Sequence, residues 1–420
     1  MSFASLGLSP SITETLDALG YVEPTPIQAE AIPVILSGKD VWASAETGSG
    51  KTAAFVLPIL ERLRSARREA PRPIRALVLA PTRELAMQID ASIRRYGERL
   101  EQRFKVCLAV GGVSENPQMM ALRGGAEVVV ATPGRLLDLV SRNALSLSRV
   151  EVLVLDEADR LLSLGFGEEL ARVFELLPRA RQTLLFSATF PPAVRALAEK
   201  ELRGGDDMVR IQLESGVSRL AETVKQRAIE VDVAKRTQLL RKLVSEHDWP
   251  SVLVFVATRH GADHVANKLA RAGIPTAALH GELGQGARSQ ALADLKNHVI
   301  QVLVATDVAA RGLDIVRLPA VVNYDLPRSP TDFVHRIGRT GRAGESGVAI
   351  SFVTVDNEAH FRLIEKRHRF SAPRERVEGF DRTDVAAPVK DPHGGIKGKR
   401  KSKKDKLREA AAAAQAKKDP

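Results

Sequence analysis

Short apolar runs recur along this 420-residue chain, and between them lie longer stretches whose apolar residues fall at helical spacing. That alternation marks βαβ units, because parallel strands need a long crossover that is usually a helix. The runs at 40–45, 76–80, 106–110, 127–131, 152–156 and 183–187 are rich in Val, Leu and Ala with few polar interruptions. Strands covered by helices on both faces read this way. A second series falls at 223–231, 251–256, 276–279, 301–305, 320–324 and 347–353. It resembles the first in kind, with no residue-level repeat. The stretch 206–222 between them is polar and has no strong period. The expected architecture is therefore α/β: a domain over 1–205, a linker over 206–222 and a second parallel-sheet domain over 223–370. Beyond that the periodicity fades, and 371–420 reads as a basic, disordered tail.

Charge is unevenly placed. Of a formal net charge of +11, residues 390–420 carry +7. A tail of that kind attracts polyanions, and nucleic acid is the commonest. Aromatic residues are only 4% of the chain, too few for a protein that grips many bases by stacking them on rings. The single cysteine, Cys107, excludes an intramolecular disulfide and fits a reducing compartment, so the expected location is cytoplasmic. No stretch is long and apolar enough to suggest a membrane span, and the opening residues carry no secretory pattern.

Chemistry enters at Ala45-Glu-Thr47-Gly48-Ser49-Gly50-Lys51-Thr52, between an apolar strand and a helical pattern. It fits the phosphate loop G-x-x-x-x-G-K-[ST], with Ala45 in place of the first glycine. Gly48 and Gly50 let backbone N–H groups turn in around phosphate oxygens, and the new helix points its positive end at them. Lys51 would neutralise the outer phosphates, and the Thr52 hydroxyl would ligate Mg²⁺. Further on, an apolar strand runs into Asp156-Glu157-Ala158-Asp159. Asp156 would hold Mg²⁺ through water, and Glu157 would orient and deprotonate the attacking water. In His335-Arg336-Ile-Gly-Arg339-Thr-Gly-Arg342, three arginines at spacings of three stand among glycines, a pattern hard to explain as packing. Guanidinium groups suit the charge that develops on a transferring phosphoryl group.

Residues 156–159 spell D-E-A-D, and with the ordered motifs around them the chain resembles the DEAD-box ATP-dependent RNA helicases, with its nearest look in the bacterial RhlE-type subgroup. The resemblance covers roughly residues 3–370. It implies two tandem RecA-like domains, ATP and Mg²⁺ as ligands, and RNA-stimulated ATP hydrolysis coupled to local unwinding or remodelling of RNA. It implies that Phe3 stacks on adenine, that Gln28 bonds the base edge, and that Asp314 meets the ribose. Arg339 and Arg342 match two arginine fingers, while Asp159, Ser187, Thr189 and His335 match the residues that couple the ATP site to domain closure. An RNA face is implied at Thr82, Arg83, Gly112, Thr132, Arg135, Arg259, Arg288 and Thr306. Hydroxyls, guanidiniums and glycine backbone suit phosphate and sugar rather than bases, so little sequence preference is expected. Ser163 and Glu282 depart from the pattern, each standing where Asp is frequent. The implied partner is structured RNA or duplex with single-stranded regions, bound by a monomeric core. Ribosome-assembly or RNA-decay proteins are open as further partners. An ATP-gated clamp, a passive RNA binder and a DNA translocase are the rival readings.

Overall fold

The computed structural model describes residues 2–44, 49–67, 69–100, 104–212, 224–310, 315, 318–341 and 347–384. Both sheets belong to one compact unit, Met1–Arg382.

The first sheet contains β1 (Asp40–Ser44), β2 (Ala76–Leu79), β3 (Val106–Ala109), β4 (Val128–Ala131), β5 (Val152–Leu155), β6 (Gln182–Ser187) and β7 (Met208–Gln212). The second contains β8 (Val224–Glu230), β9 (Val252–Val256), β10 (Thr276–Leu279), β11 (Val302–Thr306), β12 (Ala320–Asn323), β13 (Gly347–Val353) and β14 (Arg374–Glu375). All pairings are parallel. The spatial orders are β3-β4-β2-β5-β6-β1-β7 and β10-β11-β9-β12-β13-β8-β14. Adding seven to each strand number of the first order gives the second, so the topology is repeated although the residues are not.

The central strands are apolar along their length because both faces are covered. Val78, Val130 and Val154 enter one core, and their chain neighbours Leu77, Val129 and Leu153 enter the other. In the second sheet Val252, Val254 and Val304 face one core, while Leu253, Phe255 and Leu303 face its opposite. Each such strand thus removes apolar surface from water on two sides, at about 25 cal/mol per Å².

Two elements were not visible as periodicity. β7 lies inside the stretch read as linker, where it pairs with β1 as an edge strand. Only Ile211 of its five residues is buried, which explains its polar look. Arg210 sits beside Trp42 in register, with its guanidinium 3.8 Å from the ring centroid. β14 lies inside the stretch read as disordered tail and pairs with β8. Arg374 meets Glu358 at 3.0 Å and Glu365 at 2.9 Å, and Arg382 meets Glu230 at 3.1 Å. A two-residue strand held by distant ion pairs leaves no period to read. The Lys-rich stretch of the tail lies outside the described residues.

Candidate nucleotide site and nucleic-acid groove

In open parallel sheets, ligands gather beyond the carboxyl ends of the strands. β6 lies between β1 and β5, with Ser44 opposite Ser187. The phosphate loop after β1, the acidic run after β5 and Ser187 at the end of β6 therefore meet on one rim.

The described part of the loop begins at Ser49. Gly50 caps the helix Lys51–Arg64 with φ +96°. A Cβ there would come 2.4 Å from Gln28 Nε2 and 2.8 Å from Thr25 Oγ1, so only glycine fits. Gln28 is buried beneath it. Its Nε2 donates to Gly50 O at 3.1 Å, and its Oε1 accepts from Thr25 N at 2.9 Å. The residue expected at the adenine edge thus braces the phosphate loop. Phe3 is 4% exposed and lies edge-on to Tyr21, with centroids 6.4 Å apart, so little of its ring is open to a base. Ala45, Thr47, Gly48, Asp314 and Arg342 lie outside the described residues.

Lys51, Asp156 and Glu157 are all buried. Burial pushes the Asp156 carboxyl up to about 6, with nearby Glu157 and Asp159 adding to the rise and the Lys51 charge opposing it. Glu157 has φ +51°, a left-handed conformation that costs a non-glycine residue on the order of 1–3 kcal/mol. Its N–H donates to Asp156 Oδ1 at 2.9 Å. Among the described residues no three His, Cys, Asp or Glu side chains converge as a metal cage. One buried carboxylate beside a phosphate loop is nonetheless the donor set that fits Mg²⁺, which is held largely by phosphate oxygens and water.

Asp159 joins this rim to the end of β6. Its Oδ2 accepts from Thr189 Oγ1 at 2.7 Å and from Thr189 N at 3.2 Å. Its own N–H donates to Ser187 Oγ at 3.2 Å, and that hydroxyl donates to Thr189 O at 2.7 Å.

From the second domain, the helix Pro330–Ile337 brings His335 to the site and leads directly to buried Arg339. The His335 ring is pushed well below its ordinary value by burial and by the charges of Arg160, Arg339 and Lys51, so it is neutral at pH 7. Two of those cations belong to the first domain. Arg336 takes a different part from its neighbours in the motif. It bonds Asp307 at 2.6 Å, Asn323 Oδ1 at 3.0 Å and Asp325 O at 2.6 Å, over the Phe255 ring at 4.8 Å. That arginine is internal packing of the second domain, contrary to the argument that the arginine spacing is hard to explain as packing.

A groove of about 600 Å³ runs past the nucleotide rim and is lined from both domains, by Thr82, Arg83, Thr132 and Arg135 on one side and Gly281, Arg288 and Val308 on the other. Thr82 caps the helix Arg83–Gly97 by accepting from Leu85 N, and Thr132 stands at the N-terminus of the helix Pro133–Ser141. Gly112, at φ +71°, leaves room for the Arg83 guanidinium, which a Cβ would strike at 2.0 Å. Arg135 donates Nη2 to Val113 O at 3.0 Å, while its buried Nη1 has no partner. Arg288 spends Nη2 on Glu84 at 2.9 Å, while its buried Nε has none. Thr306 is buried at the end of β11, and Arg259 is exposed and ion-paired with Glu282.

Sequence reasoning missed Glu84 as a partner in its own right. Glu84 follows Thr82 and Arg83 in the chain and also accepts from Gln285 Nε2 of the second domain at 3.3 Å. It missed Arg160 and Asp332, which meet at 2.5 Å across the same boundary. The only local signal was that each abuts a motif.

Residues 25–197 match the DEAD/DEAH box helicase family, and 235–344 match the helicase conserved C-terminal domain. The chain is 44% identical to an ATP-dependent rRNA helicase, rrp3, of Sclerotinia sclerotiorum over 90% of its own length and 78% of that protein. It is 40% identical to the ATP-dependent RNA helicase CshA of Limosilactobacillus reuteri, covering 88% of this chain and 72% of the relative. Among solved structures, Dbp5 of S. cerevisiae bound to RNA and ADP BeF3 superposes with a TM-score of 0.78 at 34% identity, covering 90% of this chain and 95% of that one.

Proposed function

This chain belongs to the DEAD-box family of ATP-dependent RNA helicases, and we propose that RNA lying in the groove drives its two domains together over ATP, so that hydrolysis and local strand separation occur as one cycle. The observation that carries the reading is that the charge of Lys51 acts both on Asp156 of its own domain and on His335 of the second, on the helix that leads to Arg339.

Lys51 and the turned backbone of the loop bind the phosphates. Glu157, held in its strained conformation by the bond to Asp156, orients the attacking water and takes its proton. Asp156 and Thr52 would hold Mg²⁺, which when bound neutralises charge on the phosphate oxygens. Arg339, with Arg342, stabilises the charge that develops in transfer, and such a finger is worth about 10³–10⁵ in rate. Asp159, Ser187 and Thr189 carry the state of the nucleotide to the end of β6. His335, kept neutral, offers a hydrogen bond rather than a charge.

The groove presents guanidinium N–H groups and the hydroxyls of Thr82 and Thr132. This supports recognition of phosphate and ribose, with little sequence preference and with 2′-OH contacts separating RNA from DNA. Within the family, the core motifs have their nearest look in the bacterial RhlE-type subgroup. Lys397–Lys406 then acts as a tether that raises the local concentration of RNA. No helix among the described residues is long and apolar enough to cross a membrane. The lone cysteine, Cys107, is buried and free, which fits the reducing cytoplasm; in this reading the protein acts there as a monomer on structured RNA, with ribosome-assembly or RNA-decay proteins as its partner classes.

The test is steady-state ATP hydrolysis with a short RNA duplex bearing an overhang, beside the matching DNA, at fixed salt. Strong stimulation by RNA alone, abolished in Glu157→Gln, is expected. Equal stimulation by DNA would overturn the RNA-selective reading.

A further inference from the structure

Arg160 and Asp332 fall outside every motif that assigned a role above, yet they make one of the most enclosed ion pairs in the molecule. Arg160 Nη1 lies 2.5 Å from Asp332 Oδ1, with side chains 8% and 11% exposed. Arg160 comes from the first domain, immediately after Asp159. Its N–H donates to Asp159 Oδ1 at 3.1 Å, while the other oxygen of that carboxylate takes the Thr189 hydroxyl. Asp332 comes from the second domain, in the first turn of the helix Pro330–Ile337. Its Oδ2 accepts from the Ser329 hydroxyl at 2.9 Å, and its N–H donates to Ser329 Oγ at 3.2 Å. The helix N-terminus favours a negative charge there. An unbroken path therefore runs from Thr189 through Asp159 and Arg160 to Asp332, and on along one helix to His335 and Arg339.

Such a pair is a poor source of static stability. Taking both charges out of water costs several kcal/mol per ion, which the attraction repays only with good geometry. The two halves come from different domains, so the pair exists only while those domains are together. The surroundings are unequal. Asp332 keeps Ser329 and a helix terminus if Arg160 is lost. Arg160 has only the His335 ring, lowered by its charge, on the far side, and its buried Nη2 is already without a partner.

We propose that Arg160 and Asp332 are positioning residues whose ion pair forms on domain closure and seats the Pro330–Ile337 helix, so that Arg339 reaches the nucleotide only when the first domain holds it. This rests on the closure-coupled hydrolysis put forward above. Neither residue touches ATP in this scheme. Their loss therefore lowers turnover in the RNA-bound state and leaves ATP binding without RNA unchanged.

The experiment uses the full chain as wild type, Arg160→Met, Asp332→Leu and the double variant. Wild type is assayed first for RNA-stimulated hydrolysis, so that failure of the underlying reading is seen separately. Each single variant is expected to lose tenfold or more in kcat at saturating RNA, Asp332→Leu losing the more because it leaves an enclosed guanidinium with neither Nη1 nor Nη2 paired. Binding of a fluorescent ATP analogue without RNA should not change. The double variant, with no buried charge left, should recover most of the loss. Closure is read independently by energy transfer between dyes on two introduced surface cysteines, one per domain, which is practicable because Cys107 is buried. RNA with a non-hydrolysable ATP analogue should shorten the distance in wild type and in the double variant, and not in Asp332→Leu. Single variants that close and turn over like wild type would overturn the proposal. A double variant no better than the worse single would do so too, since the effect would then not lie in the interaction.

Discussion

Arg288 Nη2 lies 2.9 Å from Glu84 Oε1, and the two halves of this buried pair belong to different domains. Glu84 stands in the first turn of the helix Arg83–Gly97, and Arg288 in the helix Gln285–Lys296. The pair spans the groove, so the wall that meets nucleic acid exists only while the domains are together.

Replacing Glu84 with Ala leaves Arg288 buried without its carboxylate, a change that costs about 3–5 kcal/mol for such pairs when the closed form is populated. The RNA concentration giving half-maximal ATPase stimulation should rise tenfold or more, and thermal melting of the free protein should change little. An unaltered RNA titration would remove the pair from the RNA-bound state.

Arg259 is held by Glu282, and both are largely exposed. RNA phosphate must compete with that carboxylate. Glu282→Gln should tighten RNA binding and steepen the log affinity against log salt slope by about 0.7, the increment for one more phosphate contact on a single strand. Fluorescence anisotropy across a salt series measures it. An unchanged slope would mean that Arg259 stays off the RNA.

The Asp156 carboxyl is raised to about 6 by burial. A carboxyl raised by folding lends stability that is complete below its unfolded value near 4 and is lost as pH climbs through 6. Nucleotide-free wild type should therefore lose on the order of 2–3 kcal/mol from this group between about pH 4 and 7. Asp156→Asn should lack that loss, melt higher at pH 8 and hydrolyse no ATP. Denaturant unfolding over that pH range checks it. Parallel pH profiles for the two proteins would show that the carboxyl is not desolvated.

Gly50 cannot accept a side chain without displacing Gln28. Gly50→Ala also forces alanine to φ +96°, with strain of about 1–3 kcal/mol. ATP affinity should fall roughly tenfold or more, as read by calorimetry, while melting of the second domain is unaffected. Retained affinity would mean that the loop can re-form around another conformation.

The candidate site was legible where its chemistry is contiguous. Gly50, Lys51 and Thr52 must be neighbours for a turn to feed a helix onto phosphates, and Asp156 and Glu157 must end a strand to reach the same rim. The partition of work among Arg336, Arg339 and Arg342 was not legible, because identical side chains at regular spacing differ only in what surrounds them. Arg336 turned inward to Asp307 and Asn323.

By itself the amino-acid sequence determined the strands from β1 to β6 and β8 to β13, because a parallel strand buried on two faces must be apolar along its own length. It determined the phosphate loop and acidic run for the same local reason. Only the tertiary structure decided that β7 and β14 exist, that Glu84 serves Arg288, and that Arg160 meets Asp332. Edge strands and ion pairs between distant segments depend on which surfaces come together, and no period in the chain records that.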